Sequence, residues 1–141
     1  MYDDGEDPVR FPFSLLSSSL MDVAADLFLE NIRHVFLERA LPGGTLAAHG
    51  SRIEPAAITR TALMTVEAEK DDIAAPGQTR TAQALCSSVP RRRRAHLLVS
   101  AAGHFSLFHG GTWRTRVLPA VTAFMKTAER PRAGEHDDPR A

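Results

Sequence analysis

Residues 61–105 read TALMTVEAEKDDIAAPGQTRTAQALCSSVPRRRRAHLLVSAAGHF and contain two short apolar runs separated by a helical pattern. The runs are Ala62–Val66 and Ala95–Val99, and each is bounded by polar residues. Short runs of this kind are typical of strands buried in a parallel sheet. Between them, residues 78–86 carry apolar side chains at helical spacing after a Pro76-Gly77 turn signal. The order predicts two parallel strands joined by a right-handed crossover.

The sequence before this unit predicts a long helix and a short hairpin. From about Ser18, apolar residues recur at helical spacing. This helix should end near Leu41, because Pro42-Gly43-Gly44 removes a backbone donor and permits left-handed dihedrals. Residues 45–61 then predict a short hairpin arm that leads into a helical turn.

The sequence after this unit predicts a closing helix at residues 112–127, which Pro119 should kink or delay. The chain therefore divides into an irregular lead-in at 1–17, a folded segment at 18–127 and a disordered tail at 128–141. The predicted class is α/β, with strand-helix-strand-helix order behind the long helix. Two parallel strands alone leave both sheet edges unpaired, so we expect an incomplete sheet.

Composition excludes several classes of partner. The 141 residues include 17 basic and 17 acidic residues, so no net field favours nucleic acid or an anionic membrane. No run approaches the roughly 18 to 20 apolar residues that span a bilayer, and the acidic start lacks the positive region of a secretory signal. Cys86 is the single cysteine, which rules out an intrachain disulfide. We expect a cytoplasmic protein without a membrane span or a nucleic-acid partner.

Asp71 and His104 follow the two predicted strands. The carboxyl ends of parallel strands meet at one sheet edge, so both side chains should face one region. In serine- and cysteine-type hydrolases, a histidine takes the proton of the nucleophile, and a carboxylate fixes the tautomer of that histidine. Asp71 and His104 are therefore the candidate acid and general base.

A nucleophile is not recognisable in the sequence. In α/β-hydrolases the chain order is nucleophile, acid and histidine, so it should precede Asp71. Neither Gly-x-Ser-x-Gly nor Gly-x-Cys-x-Gly occurs in the 141 residues. Ser17–Ser19 lack flanking glycines, and Cys86 lies between the acid and the histidine. The nucleophile is expected outside this chain.

The remaining polar residues carry weaker signals. No carboxylate or cysteine completes a ligand set with His104 and His109, so we expect neither a metal nor a cofactor. Arg91–Arg94 could contact phosphate, but four arginines on a neutral chain are more typical of a solvated turn. Cys86 should pack as a small hydrophobe rather than act as a catalyst, and His96 should be a hydrogen-bonded core or boundary residue.

Several separated blocks appear in a fixed order along the chain: Asp26-Leu27-Phe28-Leu29-Glu30, Val35-Phe36 with Ala40-Leu41-Pro42, Asp71-Asp72-Ile73, Gly77-Gln78-Thr79, Ala84-Leu85-Cys86 and Gly103-His104-Phe105. From about Met21 to Lys126 they resemble the C-terminal region of intracellular poly(3-hydroxybutyrate) (PHB) depolymerases. The resemblance implies the C-terminal part of an α/β-hydrolase fold and the hydrolysis of a polyester. The Asp-x-Ile and Gly-His-aromatic motifs of that family fall on Asp71 and His104, which implies Asp71 rather than Asp72 as the acid.

The sequence departs from the family pattern at two positions, and the resemblance leaves alternatives open. Ala68 and Ser106 stand where the family pattern usually has glycine, which could disturb loops that need positive φ. An α/β-hydrolase carries its nucleophile on a sharp turn, the nucleophile elbow, and stabilises the reaction intermediate in an oxyanion hole. Both would need further strands, from a missing N-terminal portion or a partner chain. We hypothesise a truncated reading frame, a pseudogene product or a half that docks with such a partner.

The leading prediction is a C-terminal portion of a polyhydroxyalkanoate depolymerase that acts on polyester once its site is completed. One alternative is a non-catalytic remnant that binds a polyester granule or a partner protein, and another is a fragment of the related polyhydroxyalkanoate synthase. An apolar stripe could contact such a granule, although core packing is the preferred interpretation. The stripe consists of Leu27, Val35, Phe36, Trp113, Phe124 and Met125.

Overall fold

The computed structural model describes residues 22–129. The predicted lead-in at 1–17, the predicted helix start at Ser18 and nearly all of the predicted tail lie outside the described residues. Helices and small sheets follow one another in this part of the chain, as the predicted α/β class requires.

The described elements are, in chain order, α1 (Ala25–Asn31), a π-helix (Ile32–Leu37), β1 (Ala47–Ala48), β2 (Ser51–Arg52), a 3-10 turn (Pro55–Ala57), β3 (Leu63–Ala68), a 3-10 turn (Thr79–Thr81), α2 (Ala82–Leu85), a 3-10 turn (Arg91–Arg93), β4 (Arg94–Val99), a 3-10 turn (Phe105–Leu107), α3 (Gly110–Thr112), a π-helix (Trp113–Val117) and α4 (Leu118–Ala128). None of the helices between residues 22 and 129 combines the length and the apolarity needed to cross a bilayer.

β3 and β4 form a parallel pair, which confirms the predicted strand arrangement. The register runs from Leu63 opposite Arg94 to Ala68 opposite Val99. In the described part of the chain this sheet has two strands, so both of its edges lack a strand neighbour. The hairpin of β1 and β2, with the helical turn after it, is also as predicted.

β3 extends two residues beyond the predicted end at Val66, and one of these residues is Glu67. Its side chain is only 3% exposed, which the polar character of glutamate does not suggest. The carboxylate accepts the backbone N–H groups of Gly77 at 2.8 Å and Arg80 at 2.6 Å. Because these bonds compensate the lost hydration of the charge, the strand can continue through a buried glutamate.

The crossover contains a short 3-10 turn and α2 instead of one continuous helix, and Arg94 holds its C-terminal part in place. The Arg94 guanidinium donates hydrogen bonds to four backbone carbonyls, those of Gln83, Cys86, Ser87 and Val89. The prediction of a solvated turn is therefore wrong for Arg94. A planar guanidinium can bind several of the carbonyls that the end of a helix leaves unpaired.

The buried core lies between the β3–β4 pair and the closing helix. It consists of Ala68, Val99, Ala102, Leu107 and Val117, with Val66, Leu97, Trp113 and Val121 packed against it. The closing helix begins at Gly110 and includes a π-helical segment before Pro119. The Leu118 N–H donates to the carbonyl of Trp113, five residues back. Proline lacks an N–H and crowds the preceding turn. The wider π-helical turn before Pro119 is therefore the form that the predicted effect of this proline on the helix takes.

The first helix differs from its prediction in length and in packing. Its helical conformation ends at Leu37 instead of Leu41, and Arg39 turns the chain with a φ of 48°. Phe36 is 69% exposed, and Leu27, Val35 and Met125 are also exposed. The prediction that these four residues pack in the core is therefore wrong, whereas Trp113 does pack against the core. Helical spacing predicts an apolar face but not a neighbour that covers it.

Ala68 and Ser106 do not have the strained backbone that a missing glycine would imply. Both residues are fully buried, Ala68 at the end of β3 and Ser106 in the turn Phe105–Leu107. The residue other than glycine that has positive φ in this region is Ala101, with a φ of 56°. The expectation that these two positions need positive φ is wrong, because the left-handed turn occurs elsewhere in the loop.

Candidate functional site

Asp71 and His104 are in direct contact at the carboxyl ends of β3 and β4. The Nδ1 atom of His104 lies 2.9 Å from Oδ2 and 3.1 Å from Oδ1 of Asp71. The Asp71 side chain is 2% exposed and that of His104 is 24% exposed. The structure therefore brings together the two residues that the strand order placed at one sheet edge, and it leaves the histidine partly open to solvent.

Backbone pairing between the two loops continues beyond the strands. The Glu69 N–H donates to the carbonyl of Val99 at 3.0 Å, and the Lys70 N–H donates to the carbonyl of Ala102 at 2.9 Å. Asp71 follows immediately after these pairs, and His104 lies two residues beyond Ala102. The ladder thus fixes the two loops relative to each other up to the residues next to the contact.

Asp71 also organises its own loop. Its Oδ1 atom accepts the backbone N–H groups of Ile73 at 2.9 Å and Ala74 at 2.8 Å. Burial raises the pKa of Asp71, but the hydrogen bonds from Ala74, His104 and Ile73 together lower it by more. The pKa of Asp71 therefore lies below its ordinary value of 3.8, and the group is a carboxylate at neutral pH.

This charge determines which nitrogen of His104 carries the proton. An ionised carboxylate can only accept hydrogen bonds, so in the neutral imidazole the proton is on Nδ1, which faces Asp71. The Nε2 atom then has a free lone pair and can accept a proton from another group. A buried carboxylate also stabilises the imidazolium that forms after this transfer.

Two phenylalanine rings border the imidazole of His104. The ring of Phe105 lies 5.3 Å away in an edge arrangement, and the ring of Phe108 lies 5.5 Å away at a tilt of 54°. Phe108 is exposed. The open side of the site is therefore partly apolar, which suits a substrate with alkyl groups next to its reacting bond.

The other candidates from the sequence take no part in the hydrogen bond between Asp71 and His104. Asp72 is exposed, and His109 stacks on Phe105 with ring centroids 6.5 Å apart. Cys86 is buried at the end of α2, which confirms that it packs as a small hydrophobe. Ser17–Ser19 lie outside the described residues. Between residues 22 and 129, no three His, Cys, Asp or Glu residues form a group that could hold a metal ion.

A second polar network, which sequence reasoning missed, lies on one face of the β3–β4 pair. His96 Nδ1 is 3.0 Å from the hydroxyl of Thr65, which confirms that His96 is hydrogen-bonded. His96 Nε2 lies 3.8 Å from the carboxylate of Glu67. The alternation that places Thr65 and Glu67 on one strand face was the available signal. This network anchors the loop that carries Asp71, because Glu67 binds the backbone at its far end.

Acid should destabilise the fold through Asp71 and Glu67. Burial raises the pKa of Glu67, but the N–H groups of Arg80 and Gly77 help to lower it below its ordinary value of 4.5. A carboxylate with a depressed folded-state pKa stabilises the fold above its unfolded pKa, and this contribution disappears as the pH falls through the folded pKa. We expect the melting temperature to fall between about pH 5 and pH 3.

Thermal unfolding followed by circular dichroism across this range measures the effect. Asp71→Asn and Glu67→Gln should each melt at a lower temperature than wild type at neutral pH and lose less on acidification. Asp72→Asn is the matched control and should keep the wild-type decrease. An unchanged acid sensitivity in both buried-site variants would refute this source of the pH dependence.

One comparison with known proteins gives a match. A family model described as PHB de-polymerase C-terminus matches residues 12–129, which include Asp71 and His104. The chain has no match among the curated proteins or among the solved structures.

Proposed function

Because the chain belongs to the PHB de-polymerase C-terminus family, we propose that it supplies the acid and the histidine of an ester hydrolase that acts on polyhydroxyalkanoate. The observation that carries this proposal is the hydrogen bond between Nδ1 of His104 and the buried carboxylate of Asp71. It leaves Nε2 of His104 as a base on the partly open side of the site.

In the proposed reaction, Nε2 of His104 takes the proton of a serine hydroxyl or cysteine thiol as that group attacks the ester carbonyl. Asp71 stabilises the resulting imidazolium. The tetrahedral intermediate collapses, the bond to the leaving alkoxide breaks, and His104 returns the proton to that oxygen. Water then attacks the acyl-enzyme and gives its proton to His104, the bond between the acyl group and the nucleophile breaks, and His104 returns the proton to the nucleophile.

The nucleophile in this proposal belongs to a segment outside the sequence. The 141 residues contain no Gly-x-Ser-x-Gly or Gly-x-Cys-x-Gly elbow. The pair β3 and β4 would be part of a larger α/β-hydrolase sheet, whose remaining strands add to an open edge. Support for this arrangement comes from the parallel register of the pair and from the position of Asp71 and His104 after successive strands.

A second candidate function is binding to polyester without catalysis. It is favoured by the exposed apolar residues of α1 and the π-helix after it, among them Leu27, Phe28 and Phe36. Such a surface gains free energy when it leaves water for an apolar polymer. Sedimentation with purified granules that is unaffected by Asp71→Asn and His104→Ala would support this function, and absence of cosedimentation would exclude it.

The purified 141-residue chain should not hydrolyse esters by itself. The substrates are p-nitrophenyl butyrate and amorphous polyhydroxybutyrate, and His104→Ala is the comparison. We expect both proteins to stay at the rate of buffer, because the sequence contains no nucleophile elbow whose serine or cysteine His104 could activate. Turnover that His104→Ala abolishes would instead place a nucleophile within these residues and contradict its assignment to another segment.

A further inference from the structure

The loops that carry Asp71 and His104 share a third contact, which is made by the side chain of Glu69. Its Oε2 atom accepts the backbone N–H of Ala101 at 2.7 Å. The two backbone pairs described above lie on either side of this bond, at Val99 and Ala102. Glu69 therefore connects the first loop to the turn of the second loop, three residues before His104.

Ala101 has an unfavourable backbone conformation. Its φ of 56° lies in the left-handed region, where the Cβ atom crowds the following carbonyl oxygen. A residue other than glycine stays there only when its surroundings hold it. A hydrogen bond to a carboxylate is stronger than one to a neutral acceptor, so the bond from Ala101 to Glu69 can offset this cost.

We propose that Glu69 is a positioning residue for the Asp71–His104 pair, because it holds the turn at Ala101 from which the chain continues to His104. The inference rests on the proposed function for its catalytic consequence. Glu69 lies two residues before Asp71, so its side chain adds to the two backbone pairs a contact that holds the turn before His104 against the loop that carries Asp71. Without that bond, Ala101 can relax to negative φ and carry His104 away from the carboxylate.

The readout is the tautomer of His104 in the full 141-residue chain, measured from the ring ¹⁵N chemical shifts. Wild type should be mainly the Nδ1–H form. Asp71→Asn should shift the ring towards Nε2–H, because the amide can donate to Nδ1. Glu69→Ala should raise the Nε2–H fraction several-fold, whereas Glu69→Gln, which keeps a weaker neutral acceptor, should raise it less.

Glycine at position 101 provides an independent check. Glycine adopts positive φ without steric cost, so Ala101→Gly in the Glu69→Ala background should restore part of the Nδ1–H form. Glu54→Ala is the matched control, since Glu54 is also exposed and makes only a 3.9 Å contact with Arg52. This variant should not change the tautomer.

Protection of the Glu67 and Leu97 amides against hydrogen exchange, in the same samples, separates positioning from unfolding, because alternation from the Glu69–Val99 bond directs both N–H groups into the β3–β4 pair. The inference requires unchanged protection with a changed tautomer in Glu69→Ala. It is overturned if the tautomer stays at the wild-type ratio, if strand protection is lost as well, or if wild type shows no strand protection. A tautomer that is insensitive to Asp71→Asn would overturn the proposed acid–histidine pair instead.

Discussion

In a hydrolase completed with a nucleophile, His104→Ala is expected to lower kcat by about 10⁴-fold or more. Such a hydrolase can be made by fusing the elbow-bearing segment of a polyhydroxyalkanoate depolymerase ahead of Pro12, where the family match begins. In the proposed mechanism His104 accepts and returns the proton, and its Nδ1 atom lies 2.9 Å from the carboxylate of Asp71. With alanine in its place, the nucleophile keeps its proton and attack becomes slow.

Kinetics with p-nitrophenyl butyrate and with amorphous polyhydroxybutyrate measure this loss. KM should change little, because the imidazole acts mainly in the transition state. His34→Ala is the control, since His34 is a surface residue that hydrogen-bonds Glu38. A kcat within tenfold of the unmodified fusion in His104→Ala would show that another group is the base.

Asp71→Asn is expected to lower kcat of the same hydrolase by about 10⁴-fold, even though the two side chains have nearly the same shape. The asparagine amide can donate to Nδ1 of His104, which favours the tautomer with the proton on Nε2. This tautomer cannot accept the proton of the nucleophile. The variant also loses the negative charge that stabilises the imidazolium.

Asp72→Asn is the matched control for this prediction, because it makes the same chemical change one residue away on an exposed side chain. It should keep kcat far above that of Asp71→Asn, because it leaves the carboxylate that contacts Nδ1 of His104 in place. Equal losses in the two variants would point to a general disturbance of the loop. A larger loss in Asp72→Asn would assign the acid to Asp72.

The parts of the site that follow from strand order could be predicted from the sequence. Two apolar runs with a crossover between them were enough to predict parallel strands, and parallel strands place Asp71 and His104 at one edge. The distance of 2.9 Å between their side chains was not predictable. It depends on the loop ladder and on the turn at Ala101, where alanine adopts a conformation for which the sequence carries no glycine signal.

Buried charges account for much of what the sequence did not reveal. The sequence predicted that the strand ends at Val66, with Glu67 among the polar residues beyond it, and that Arg94 belongs to a solvated turn. Each is held by backbone groups that lie five to thirteen residues away, such as Arg80 for Glu67 and Val89 for Arg94. Local patterns of polarity contain no information about such partners, because every residue has a backbone C=O and every residue except proline has a backbone N–H.

The exposed apolar residues of the first helix show a different limit. The spacing of Leu27, Val35 and Phe36 predicted helical structure, and the chain is helical there. Spacing alone cannot show whether another element covers the helix. In the described residues these side chains are exposed, so the apolar pattern contributes little to the core.

The proposed function is that this chain supplies the acid and the histidine to a nucleophile on another segment. Its most direct test is the initial rate of polyhydroxybutyrate hydrolysis by the elbow-bearing segment, measured with and without residues 12–141 fused behind it. The segment alone lacks an acid and a histidine and should show no turnover above buffer. The fusion should hydrolyse the polymer, and Asp71→Asn and His104→Ala should each abolish the gain. Equal rates with and without this chain, or a gain that survives both substitutions, would contradict the proposed role of Asp71 and His104.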